Sequence, residues 1–88
     1  MFFYNYIIQS EKNKQLYVGY TINLKERLKK HNKGLVESTK PYRPWKLIYY
    51  ESCLNKDDAI RREKYLKTTQ GQRLLKRRLK KYFYYENK

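Results

Sequence analysis

The stretch that decides the fold is Phe2-Phe3-Tyr4-Asn5-Tyr6-Ile7-Ile8-Gln9, followed by Ser10-Glu11-Lys12-Asn13-Lys14-Gln15 and then Leu16-Tyr17-Val18-Gly19-Tyr20. The outer runs are dense in aromatic and β-branched residues and read as two strands. The polar segment between them reads as a hairpin connection with Asn13 as its turn residue. Beyond Gly19 the pattern changes. Asn23 followed three residues later by Glu26 resembles a capping box, and Leu24 and Leu28 stand one helical turn apart, predicting a helix from about Leu24 to His31 that ends near Asn32 and Gly34.

Residues 33–44 read as a loop, because Gly34, Pro41 and Pro44 suit irregular backbone. Trp45 to Cys53 alternates, with Trp45, Leu47 and Tyr49 expected on one face of a third strand and Lys46, Ile48 and Tyr50 on the other. Asn55, with Asp57 and Asp58 beside it, suits the positive end of a helix whose buried stripe is Ala59, Ile60 and Leu66. Gly71 is expected to interrupt that helix. Leu74, Leu75, Leu79, Tyr82 and Phe83 then recur at helical spacing on a basic helix over about 71–84. The order β-β-α-β-α-α predicts a small α/β fold with a three-stranded, mainly antiparallel sheet flanked by helices.

The 88 residues suffice for one small domain, expected to span 1–88. Tyr alone accounts for 11 of the 15 aromatic side chains, too rich a supply for a disordered tail. The 22 Lys and Arg against 8 Asp and Glu give a net charge of +14, which points to a polyanion partner, nucleic acid above all. Residues 61–88 carry 11 of those cations and only Glu63 and Glu86 as acids, so this third holds +9 of the charge. Cys53, the single cysteine, excludes an internal disulfide, and the absence of clustered Cys and His argues against a zinc site. The apolar start is broken by Asn5 and Gln9 and has no basic segment before it. It is read as neither signal peptide nor membrane span, and the chain as cytoplasmic.

Three groups of residues suggest chemistry. Glu63 lies between Ala59 at i−4 and Leu66 at i+3, a carboxylate within an apolar stripe. It could be half of an ion pair with Arg62, Lys67 or another cation, or a hard oxygen ligand for Mg²⁺ or Mn²⁺ completed by phosphate and water. Arg27 and His31, four residues apart, share a helix face. A guanidinium there suits bidentate phosphate binding, although a solvated arginine and a histidine capping the helix end are the plain alternatives. Tyr4, Tyr6, Tyr17 and Tyr20 crowd two adjacent strands; core packing is the ordinary role, and a phenol near a metal and an arginine could instead serve as general base.

Tyr4-Asn5-Tyr6 on the first strand, Tyr17-Val18-Gly19 on the second, and Thr21-Ile22-Asn23-Leu24 leading to Arg27 and His31 together resemble the GIY-YIG nuclease domain. Ser38-Thr39-Lys40, Arg43-Pro44-Trp45-Lys46-Leu47 and Ala59-Ile60-Arg61-Arg62-Glu63-Lys64-Tyr65-Leu66-Lys67 resemble its small stand-alone bacterial branch, and the resemblance spans roughly residues 2 to 80. It implies a metal-dependent endonuclease that hydrolyses phosphodiester bonds in DNA. Tyr6 and Tyr17 would be the motif tyrosines, with Tyr17 as general base or hydrogen-bond donor to water. Arg27 would hold the scissile phosphate, His31 would assist, and Glu63 would bind the single divalent cation. The first motif departs from the pattern, with Tyr4-Asn5 in place of Gly-Ile, and Tyr20 stands where some relatives have a lysine.

The expected partner is DNA, with RNA not excluded, and neither a membrane nor a small-molecule cofactor; a monomer is favoured. Lys40, Lys67, Arg73, Lys76, Arg77, Arg78, Lys80 and Lys81 are the expected nucleic-acid contacts. The alternative from another class is a non-catalytic nucleic-acid-binding module on the same fold, since fold alone does not guarantee activity.

Overall fold

The computed structural model describes residues 1–86. Strands β1 (Phe3–Ser10), β2 (Leu16–Thr21) and β3 (Trp45–Cys53) form one sheet in the order β2-β1-β3. Both pairings are antiparallel. Helix α1 (Leu24–Asn32) follows the hairpin, a short 3₁₀ turn occupies Lys40–Tyr42, and α2 (Lys56–Leu66), α3 (Thr69–Arg78) and α4 (Lys80–Glu86) follow β3.

β1 is central because it can bury both faces: every residue from Asn5 to Ser10 is buried. Tyr6 and Ile8 face α1 and pack with Trp45, Tyr17, Leu24, Leu28 and Leu47. Ile7 faces the other way, packing with Val18, Leu66 and Leu75 beneath α2 and α3. Full burial of side chains such as Ile7, Ile8, Leu66 and Leu75 stabilises by about 1.5–3 kcal/mol each.

The predicted alternation of β3 fails midway. Ile7 pairs with Tyr49, whereas Ile8 pairs with Leu47, so Ile48 is the extra residue of a bulge. Leu47 consequently stays with Trp45 under α1, while Tyr49 turns to the Ile7 side. Asn13 lies in the hairpin turn as expected, and the residue with positive φ is Lys14, just after it. Ser10 Oγ organises that turn by accepting from the N–H groups of Lys12 and Asn13.

Asn23 Oδ1 accepts from the Glu26 N–H at 3.1 Å, as the cap predicts, but the Asn23 N–H donates to Thr21 Oγ1 rather than to Glu26. Asn55 caps α2 through the Asp57 and Asp58 N–H groups. The expected break at Gly71 and the single helix over 71–84 are both corrected. α2 stops at Leu66, Thr68 Oγ1 caps α3 by accepting from the Gly71 N–H, and Leu79 separates α3 from α4. Gly71 lies inside α3 for a packing reason, since a Cβ there would stand 2.1 Å from the Tyr65 carbonyl oxygen at the end of α2.

Candidate active site

The sheet and α1 bring three predicted residues onto a single oxygen. Tyr6 Oη lies 2.8 Å from His31 Nε2 and accepts from Arg27 Nε at 3.3 Å. Helical spacing makes this convergence work, because Arg27 and His31 stand on consecutive turns of α1 above the same strand residue. Gly19, paired with Tyr6 across β1 and β2, leaves the space the ring needs: a Cβ at Gly19 would come within 2.2 Å of the Tyr6 Cζ.

His31 is fully buried, and its Nδ1 lies 2.8 Å from Thr39 Oγ1. Thr39 Oγ1 donates to the Val36 carbonyl at 3.2 Å. A hydroxyl has one proton, so Thr39 must accept from His31 Nδ1–H, and Nε2 must accept from the Tyr6 hydroxyl. The chain therefore runs from Arg27 Nε–H to Tyr6 O, from Tyr6 O–H to Nε2, and from Nδ1–H through Thr39 to the backbone. Burial, and secondarily the Arg27 charge, lower the His31 pKa to about 4, so the imidazole is neutral at pH 7. The expected alternative of a cationic helix cap is thereby replaced by a neutral acceptor. Burial raises the Tyr6 pKa against the opposing Arg27 hydrogen bond. A raised phenol and a lowered imidazole together oppose proton transfer from Tyr6 to His31. Tyr6 holds its proton and positions Arg27.

Tyr17 pairs with Ile8 and lies on the same face, its ring 5.2 Å from that of His31 and 6.5 Å from that of Tyr6. The Arg27 pKa is raised, chiefly by the hydrogen bond to Tyr6 and further by Tyr17 nearby. Tyr4 and Tyr20 stay apart from this cluster, Tyr4 edge-on to Tyr50 and Tyr20 stacked on Phe3.

Glu63 approaches from α2, close enough for its charge to act on Tyr6. Its side chain retains 20% exposure, and Oε2 pairs with Lys67 Nζ at 3.2 Å. Among the described residues no group of three or more His, Cys, Asp or Glu side chains is placed to hold a metal. A single half-buried carboxylate, held only by an exposed lysine, nevertheless fits Mg²⁺ or Mn²⁺, hard ions that keep several waters and take remaining oxygens from phosphate.

The structure thus gathers Tyr6, Tyr17, Arg27 and His31, while Glu63, on α2 against the Ile7 face, reaches them only through its charge on Tyr6. Most of the predicted nucleic-acid contacts lie away from this cluster. Lys67 is engaged by Glu63, Lys40 lies in the 3₁₀ turn, and Arg73, Lys76, Arg77 and Arg78 belong to α3, which packs on the Ile7 face away from α1. Arg78 Nε donates to Tyr49 Oη on that face. Lys80 and Lys81 belong to α4, tied to the same face by the hydrogen bond from Tyr82 to Gln9. Two residues that shape the site, Thr39 and Gly19, carried no assigned role in the sequence. The spacing of four between Arg27 and His31 was visible, whereas the eight residues from His31 to Thr39 cross an irregular loop with no periodicity to follow.

Residues 2–82 match the GIY-YIG catalytic domain, and the chain belongs to that family. It is 48% identical over 62 residues to a UPF0213 protein of Pediococcus pentosaceus, covering 69% of this chain and 64% of that one, just under two thirds of the relative's length. A UPF0213 protein of Staphylococcus haemolyticus is 42% identical over 74 residues, covering 83% of this chain and 89% of its own. The solution NMR structure of a UPF0213 protein from Bacillus halodurans superposes with a TM-score of 0.53 at 28% identity, covering 85% of this chain and 82% of that one. No helix among the described residues is long and apolar enough to cross a membrane.

Proposed function

We propose that the protein is a metal-dependent endonuclease that hydrolyses phosphodiester bonds in DNA. The observation that carries this reading is the convergence of Arg27 and His31 on Tyr6, with Tyr17 and the Glu63 charge beside them. Arg27 gives Nε to Tyr6 and has Tyr17 within hydrogen-bonding reach, so its remaining N–H groups can bind oxygens of the scissile phosphate. Neutral His31 and Thr39 hold Tyr6 in place, and Tyr6 in turn fixes the guanidinium. Tyr17, on the same sheet face, orients the attacking water and, as the phenolate, would accept its proton. Glu63 would hold the divalent ion, which when bound offsets charge building on the phosphate and leaving oxygen.

The test is Glu63→Gln, read by plasmid nicking and thermal melting on one preparation. The i,i+4 pair between half-buried Glu63 and exposed Lys67 is worth roughly 0.3–0.5 kcal/mol, so melting should change little. Nicking should fall by orders of magnitude while DNA binding persists. Wild-type nicking by the variant would refute this assignment. A wild-type protein that binds DNA without cleaving it in either metal would leave the binding-module reading in its place.

A further inference from the structure

A second cationic site lies at the hairpin end of the sheet, on the α1 side, where Lys12, Lys40 and Arg43 line a cleft of about 590 Å³ with Asn32, Pro41 and Pro44. Two of the three are held by backbone carbonyls. Lys12 Nζ donates to the Pro41 carbonyl at 3.1 Å, and Arg43 Nε donates to the Lys40 carbonyl at 2.9 Å. Arg43 also packs against Gly34, where a Cβ would stand 2.7 Å from its Nη1. No carboxylate is among the residues that line the cleft. Glu11 is its neighbour in the chain, and the Glu11 charge acts on Lys46.

The walls are preorganised. Ser10 Oγ donates to the Tyr42 carbonyl at 2.6 Å and the Glu11 N–H to the Pro44 carbonyl at 2.9 Å, joining the hairpin turn to residues 41–44. The side chain of Asn32 clamps the start of β3, accepting from the Trp45 N–H at 2.7 Å and donating to its carbonyl at 3.0 Å. The cleft also neighbours the candidate active site in the chain, because Lys40 directly follows Thr39, which receives both His31 Nδ1–H and, at its carbonyl, Trp45 Nε1–H.

Three cations from two segments, two of them held by carbonyls that leave their charge uncompensated, favour a ligand with anionic oxygens. We propose that this cleft binds an internal phosphate of the DNA strand engaged at Arg27, and so sets the path of the substrate along the α1 side of the sheet rather than across α3 and α4. This rests on the nuclease reading of the Tyr6 site.

The test is equilibrium binding of a mixed-sequence 20-base-pair DNA duplex across a salt series, in parallel with nicking. Wild type is compared with Lys12→Gln, with Lys12→Gln/Arg43→Gln and with Arg77→Gln/Arg78→Gln. Loss of one phosphate contact should lower the slope of log affinity against log salt by about 0.9, so the double cleft variant should lose about that much and Lys12→Gln alone a part of it. The α3 variant should keep the wild-type slope. Lys12 is exposed at the hairpin turn, so its single variant gives a reading even if replacing Arg43 disturbs folding. Unchanged slopes in folded cleft variants of a protein that nicks DNA would overturn the cleft assignment alone. Cleft-dependent binding without nicking would overturn the nuclease reading and retain the cleft as a phosphate site, and failure of wild type to bind the duplex would overturn both.

Discussion

Thr39 Oγ1 stands 2.8 Å from His31 Nδ1 and gives its own proton to the Val36 carbonyl, so one threonine hydroxyl decides which nitrogen of the buried imidazole carries hydrogen. That choice makes Nε2 the acceptor for Tyr6, which fixes the oxygen to which Arg27 is tied. Thr39 is a positioning residue, three hydrogen bonds removed from the guanidinium.

Thr39→Val should therefore lower nicking at least tenfold with little effect on duplex affinity, as for other groups that orient a functional histidine. Nitrogen-15 shifts of His31 supply the decisive reading: they should report a protonated Nδ1 in wild type and a shifted tautomer balance in the variant. Thr39→Ser, which keeps the hydroxyl, should restore both. A variant with wild-type tautomer and activity would remove Thr39 from the site.

The depressed His31 pKa gives stability a defined pH dependence. The unfolded imidazole takes up its proton near 6.5, whereas the folded one does so only near 4. Between those values the unfolded state binds the extra proton, so stability is fully present above about 6.5 and declines as pH falls toward 4. The loss contributed by His31 is about 3 kcal/mol. Denaturant titrations between pH 7 and 5, where most carboxylates remain ionised, should show this slope, and His31→Gln should flatten it.

Gly19→Ala should damage the site more than the fold. The added methyl would overlap the Tyr6 ring, and Tyr6 is 2% exposed with nowhere to retreat except out of its bond to His31. A displacement of about 1 Å can cost on the order of 100-fold in rate, and nicking should fall by that factor. The far-UV circular dichroism should remain that of the folded protein, with a lower melting temperature. Full activity with an unaltered melting temperature would show that the ring can move freely.

Asn5→Ile should stabilise the protein. Asn5 is 3% exposed, and its Oδ1 has no hydrogen-bond partner among the described residues. Replacing an unsatisfied buried acceptor with an apolar side chain recovers about 1–3 kcal/mol when the shape is accommodated. Asn5→Val, with less bulk, separates overpacking from polarity. Loss of stability in both variants would mean that the Asn5 amide is doing structural service through a bond not seen in this arrangement.

Local sequence determined a good deal. The hairpin strands, α1 and the caps at Asn23 and Asn55 depend on periodicity and on side chains reaching their own neighbouring backbone, interactions that short stretches specify unaided. The stripe position of Glu63 and the shared face of Arg27 and His31 were equally legible, because helical spacing alone imposes them. Only the tertiary structure decided the rest. The bulge at Ile48 depends on register against β1, which turned Tyr49 away from Leu47. Gly71 looked like a helix breaker because its neighbour in space, the Tyr65 carbonyl, cannot be seen from the α3 sequence itself. The hydrogen of His31, the role of Thr39 and the separation of the α3 cations from Arg27 follow from which loop and which sheet face each element meets, and that is fixed by the simultaneous packing of the whole chain against β1.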